Sequence, residues 1–274
     1  MKVLLLGGSG RLGRALFHAL SGHAVSAPAR ATADLADPDS VRRTIGALRP
    51  DLVLNAAGWT DVDGAEGDPD GARRANSDGP GALAEACSAS SVGLVHVSTD
   101  HVFDGAAHRP YVESDPTGPV NVYGATKLAG ERAVLAAHPG ALVVRTAWLY
   151  GAEGPCFPRT ILDAARGGGP LRVVDDQWGS PTWAPHLAAG LLRLAEQGAR
   201  GLRHLAGSGG TSRCAWARAL VEAAGLRVEV IPVTTEAVPR PARRPRYAVL
   251  DTERTPRVEL PPWEEGLRAF ARGL

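Results

Sequence analysis

Short apolar runs alternate with longer stretches of helical period through the first half of this sequence, and that alternation restricts the fold more than any single motif. Residues 3–6, 24–27, 52–55, 94–98 and 142–146 read as strands, and residues 11–20, 38–48, 71–88 and 120–137 as helices. Continuous apolar strands that alternate with helices pack as right-handed βαβ units, with the sheet covered on both faces. The expectation is an α/β fold built on a doubly wound parallel sheet.

After Tyr150 the pattern loosens, with Gly/Pro clusters at 151–158, 167–170 and 179–185 and a Pro/Arg-rich segment at 239–246. We expect residues 1–150 to form the nucleotide-binding domain and 151–274 a smaller substrate-binding region folded over the mouth of the sheet. Within that region short helices are expected near 157–166, 213–224 and 263–272, and residues 184–208 are expected to return to the main sheet. A chain of 274 residues is long enough to bury a full core.

The net charge of +1 offers no field for nucleic acid or an anionic membrane. MKVLLLGG is too short for a signal-peptide apolar region, so a cytoplasmic protein is expected. Cys87, Cys156 and Cys214 lie far apart, which suits free thiols and neither a disulfide frame nor a zinc site.

The first strand runs into VLLLGGSGRLGRAL, which sets Gly7, Gly10 and Gly13 as GxxGxxG ahead of a helix. In a Rossmann-like fold the first glycine permits the tight turn and the second lets backbone N–H groups approach a pyrophosphate. The helix N-terminus then supplies a favourable dipole. In a chain with 33 glycines the spacing alone arises by chance about 0.5 times, so its position after the first strand carries the weight. The end of the second strand, SAPARATADL, has no acidic residue for a ribose 2′-hydroxyl. Arg30 stands there, and Arg11 lies in the glycine loop; two cations at this place suit the 2′-phosphate of NADP, so NADPH is expected over NADH. Asp34 is a candidate acceptor for an adenine amino group, and Leu12 and Leu35 flank these polar positions. The third strand ends in NAAGWTDVD, where Ala56, Ala57 and Gly58 form a small-residue floor for a cofactor.

The stretch NVYGATKLAGE contains one of only two lysines, against 28 arginines. Tyr123 and Lys127 lie one turn apart on a helix face, a pairing expected by accident roughly 0.03 times in a chain with four tyrosines and two lysines. Reducing a ketone leaves an alkoxide that needs a proton, and a nearby ammonium is expected to make a tyrosine a better donor. At the end of the fourth strand, VHVSTDHVFDG places Thr99 where its hydroxyl would join that of Tyr123 around a developing oxyanion. His96 and His186 read as packing residues.

Together these residues resemble the short-chain dehydrogenase/reductase superfamily, and within it the dTDP-4-dehydrorhamnose reductase family. The resemblance runs through GGSGRLG, NAAGWTDVDGAE, STDHVFDG, PYVESDPTGPVNVYGATKLAGE, RTAWLYG, DQWGSPT and the closing PPWEEGL. It implies Thr99, Tyr123 and Lys127 as the catalytic triad and Asp100, His101 and Trp148 as sugar-pocket positions. It also implies NADPH, with NADH as the lesser possibility, and a dTDP-4-keto sugar as substrate. Three departures stand out. His101 occupies a place where tyrosine is usual, which would introduce a pH-sensitive group; Cys156 replaces a common asparagine. A glutamate that binds magnesium in some relatives falls at Gly10, so no metal is expected. Among Arg240, Arg243, Arg244 and Arg246, Arg244 is the candidate for the diphosphate. A monomer or a homodimer is expected. The alternatives are a sugar-nucleotide epimerase or dehydratase, which returns its hydride, and a non-catalytic NADP-binding regulatory subunit.

Overall fold

The structure, a computed structural model, describes residues 1–273; Leu274, the last residue of the expected second region, lies outside them. Five strands, β1 (Lys2–Leu6), β2 (Ala24–Ser26), β3 (Leu52–Asn55), β4 (Gly93–Thr99) and β5 (Leu142–Thr146), are joined by a sixth, Gly201–His204, in one parallel sheet. Its order is β2-β1-β3-β4-β5 followed by Gly201–His204. Every residue of β5 and the last four of β1 are buried, which is why these strands read as unbroken apolar runs.

One face is covered by the helices Arg11–Ala19 and Ala184–Glu196, whose Leu12, Leu16, Leu187 and Leu191 pack against Val3, Leu5 and Val144. The other carries Pro38–Leu48, Gly79–Ala89 and Val122–Ala137, which contribute Val41, Ile45, Leu83, Cys87 and Val134. The chain turns to opposite sides of β1 to form β2 and then β3, so a crevice opens beyond the carboxyl ends of β1 and β3.

The glycine loop occupies that crevice. Gly7 has φ +78°, and a Cβ on it would lie 2.7 Å from the Ala57 nitrogen. Gly13 is more constrained, since a Cβ there would meet the Gly7 carbonyl oxygen at 2.0 Å. The loop is therefore pressed between the first helix and the strand that follows in the sheet, and side chains are excluded on both sides.

A third hydrophobic cluster forms around Tyr150, Leu162, Trp216, Leu220 and Phe270 in the second half of the chain. Its strands are short: Leu171–Val174 pairs with Val230–Val233, and Trp178–Gly179 lies between Thr211–Ser212 and Tyr247–Ala248. All three cysteines are free. No helix among the described residues is long and apolar enough to cross a membrane.

The helical stretch expected over 71–88 is three pieces: Pro69–Arg73, a π turn at Arg74–Asp78, and Gly79–Ala89. Pro80 has no N–H to close the usual bond onto the carbonyl of Asn76, and the ladder shifts there. Asn76 is fully buried at this irregularity.

Candidate active site

Two elements bring the expected catalytic residues together. β4 ends at Thr99, whose oxygen accepts from the His101 N–H at 3.2 Å and whose hydroxyl donates to Asp100 Oδ1 at 3.0 Å. The Val122–Ala137 helix starts beside this turn, capped by Asn121, whose side-chain oxygen accepts from the Gly124 N–H at 2.7 Å. Glycine at 124 permits the approach, because a Cβ would sit 2.1 Å from the His101 carbonyl. One face further along, Gly130 does the same against the carbonyl of Asn76. Asn76 in turn donates to the Thr126 hydroxyl at 3.2 Å, tying the π turn to the Val122–Ala137 helix. Sequence reasoning missed Asn76; the signal was the proline four residues after it.

Tyr123 remains partly exposed, and its phenol lies near the Thr99 hydroxyl. Burial pushes the phenol up to about 12, opposed by the Thr99 hydrogen bond. Lys127 is buried, donates to the Val97 carbonyl at 2.6 Å, and is driven down to about 8 by burial, with Glu131 opposing. The expected acidification of the phenol by the ammonium is therefore not what this geometry shows. Lys127 is turned to the strand, and desolvation governs the tyrosine.

Asp100 is 2% exposed and its Oδ2 has no partner. Burial raises its carboxyl to about 6, with Thr99 and Arg213 opposing. His101 accepts at Nδ1 from the Asn121 amide, 3.0 Å away, which leaves its proton on Nε2. Burial, with the charges of Arg244 and Arg213, lowers it to about 3. It is a neutral ring edge-on to Tyr123, with centroids 5.4 Å apart, and not the pH-sensitive group expected from its type. Trp148 has φ +40°, a strained conformation for a bulky residue, and Arg213 lies over its ring at 3.6 Å from the centroid.

The cofactor positions divide. Gly7, Gly10, Gly13, Ala56, Ala57 and Gly58 line the crevice around β1 and β3, and the first helix has no capping side chain and no acidic residue in its first turn. Uncapped N–H groups beside a cradle that a Cβ would fill fit a pyrophosphate. Leu12 and Leu35 are buried in the two hydrophobic clusters. Arg11 donates to the carbonyls of Leu149 and Pro155, so its guanidinium is turned to residues 149–155 and is not positioned with Arg30 as expected. Arg30 is exposed and pairs with Asp34 at 3.0 Å, and Asp34 also accepts from the Ala36 N–H. Among the described residues, no three His, Cys, Asp or Glu groups stand together as metal ligands.

A cavity of about 830 Å3 opens beyond the sugar-pocket positions, walled by Phe157, Arg213, Arg240 and Arg244. Thr99 and Tyr123 do not line it; Arg213, over Trp148 and within the field of Asp100, stands between the two. Arg244 is held by Asp63 at 3.1 Å, and Arg240 shares the same carboxylate at 3.3 Å. Arg246 is exposed and pairs with Glu236.

A parallel nucleotide-binding sheet with Thr, Tyr and Lys gathered at its carboxyl edge defines a Rossmann-like enzyme of the short-chain dehydrogenase/reductase class. The family described as RmlD substrate binding domain matches residues 1–274. The chain is 46% identical to the dTDP-4-dehydrorhamnose reductase of Mycolicibacterium smegmatis, over 97% of this chain and 84% of that protein. A dTDP-4-dehydrorhamnose reductase from Clostridium acetobutylicum superposes with a TM-score of 0.96 at 36% identity, covering 99% of each chain. The Bacillus anthracis enzyme, solved in complex with NADP, also gives 0.96, at 31% identity over 100% of this chain and 99% of that one. The chain belongs to the dTDP-4-dehydrorhamnose reductase family.

Proposed function

We propose that this protein is an NADPH-dependent reductase of the 4-keto group of a dTDP-4-keto-6-deoxy sugar, converting dTDP-4-dehydro-L-rhamnose to dTDP-L-rhamnose. The observation that carries this reading is the placement of Thr99 at the carboxyl end of β4 with Tyr123 near it on the adjoining helix, one turn from a buried lysine. When bound, NADPH supplies the hydride to the carbonyl carbon. The residues of the glycine loop, with Ala56, Ala57 and Gly58, would hold its diphosphate and the adjoining backbone. Arg30 would meet the 2′-phosphate.

Tyr123 donates toward the carbonyl oxygen, joined by Thr99 once its single proton turns there from Asp100 Oδ1, and the two stabilise the charge that develops on it. Tyr123 then gives up its proton. A phenol at about 12 is fully protonated at neutral pH, and an alkoxide is a far stronger base, so the transfer runs downhill. The phenolate left behind is stabilised by the Thr99 hydroxyl. Asp100, with its free Oδ2, and the Nε2–H of His101 supply an acceptor and a donor for sugar hydroxyls.

The test follows NADPH absorbance with dTDP-4-dehydro-L-rhamnose. Oxidation of one NADPH for each dTDP-L-rhamnose formed is expected. Substrate conversion with no net NADPH loss would mean an epimerase or dehydratase, and NADPH binding without turnover a regulatory subunit. In the same assay Arg30→Ala is expected to raise the KM for NADPH by about tenfold and leave that for NADH unchanged. Equal effects on both cofactors would remove Arg30 from the 2′-phosphate site.

A further inference from the structure

Arg213 opens the Arg213–Ala223 helix and lies far in sequence from every motif of the site. Its guanidinium is stacked on Trp148 at 3.6 Å and flanked by Phe157 at 4.9 Å and Trp216 at 5.7 Å. Aromatic faces hold a guanidinium in place without using its N–H groups. Those groups are idle: among the described residues no ion pair or hydrogen bond engages them, and Asp100, Arg244 and Arg240 act on them only through space. Burial drives the group down to about 9, with the Asp100 charge opposing. A guanidinium fixed against a cavity wall with its donors unspent is a site awaiting an acceptor.

Two other cations of this cavity differ. Arg244 and Arg240 already share the Asp63 carboxylate, and Arg244 also donates to the Ala242 carbonyl. Arg213 is also the cation that the buried Asp100 feels, and Asp100 adjoins Thr99. It thus stands at the reaction end of the cavity, and the Arg240–Arg244 segment lines the remainder.

We propose that Arg213 binds the sugar-proximal phosphate of the substrate, fixing the distance between the diphosphate and the Thr99–Tyr123 pair. This rests on the function proposed above. It assigns a phosphate ligand other than Arg244, and it leaves one face of Trp148 covered by the guanidinium.

Isothermal titration of the NADP-loaded protein with dTDP and dTMP tests the assignment. Arg213→Met is expected to weaken dTDP by about tenfold or more, as for loss of a charge-assisted contact, and dTMP by less than about threefold. Arg213→Lys, which keeps the charge without the fork, is expected to recover part of the dTDP affinity. With the dTDP-4-keto sugar, Arg213→Met is expected to raise KM and lower kcat together, and to leave the affinity for NADPH unchanged. Equal losses for dTDP and dTMP, or no loss for either, would overturn the assignment. If Arg213→Met does not fold, the same comparison on Arg213→Lys decides. Wild-type protein that binds neither nucleotide would instead remove the substrate class itself.

Discussion

Replacing Tyr123 with phenylalanine lowers kcat by about two to four orders of magnitude and leaves NADPH affinity unchanged. The expected size follows from what the hydroxyl does. In the mechanism proposed above it is one of two donors facing the carbonyl oxygen, and it alone would carry the proton that the alkoxide takes up. The phenyl ring preserves the edge contact with His101 and the packing of the helix start, so the loss reads the hydroxyl alone. Single-turnover reduction by bound NADPH is the measurement of choice, because product release does not enter it. A Phe variant with wild-type turnover would place the proton donor elsewhere.

The second large effect concerns stability. Glu131 and Arg145 form an ion pair at 2.7 Å with both side chains 3% exposed, and Arg145 donates a second bond through Nε at 2.9 Å. The Ser98 hydroxyl donates to the same carboxylate at 2.5 Å. On the far side, Arg145 reaches His204 at 3.4 Å, and its guanidinium lies 5.0 Å from the centre of the Phe103 ring. This chain of polar groups joins the catalytic helix to β4, β5 and the outermost strand beneath the site. Glu131→Gln leaves a buried guanidinium without its counter-charge, and breaking such a pair costs about 3–5 kcal/mol. For a chain of this size the melting temperature is expected to fall by roughly 6–20 °C. Changing both residues to methionine is expected to cost less than either single change, since no charge is then stranded. Calorimetric melting of the wild type, Glu131→Met, Arg145→Met and the double variant checks this, and a double variant less stable than both singles would show that the pair itself, and not the orphaned charge, carries the energy.

Much of the frame was legible in the sequence for a physical reason. β1 and β5 are buried on both faces, so their apolar runs are unbroken, and the covering helices show their leucines at helical spacing. Thr99, Tyr123 and Lys127 were legible because strand end and helix turn are local geometry. Their protonation was not. It depends on burial by segments far away in sequence, and that burial lifts the phenol and silences His101. Arg11 was misplaced for the same reason: its partners, Leu149 and Pro155, belong to another part of the chain. Arg213 left no mark at all. It begins an ordinary helix, and its meaning comes from Trp148 and Phe157, which only folding brings to it. The two-residue strands around Trp178 were equally silent, because their pairing is long-range and too short for any periodicity.

The pairing of Gly201–His204 with β5 has a consequence for how this chain can be cut. Leu142, Val143, Val144 and Arg145 find their outer neighbours in residues contributed by the second half of the sequence. A fragment ending near Tyr150 would bare a row of unsatisfied amides along an apolar ribbon, inviting self-association in place of a dissolved nucleotide-binding module.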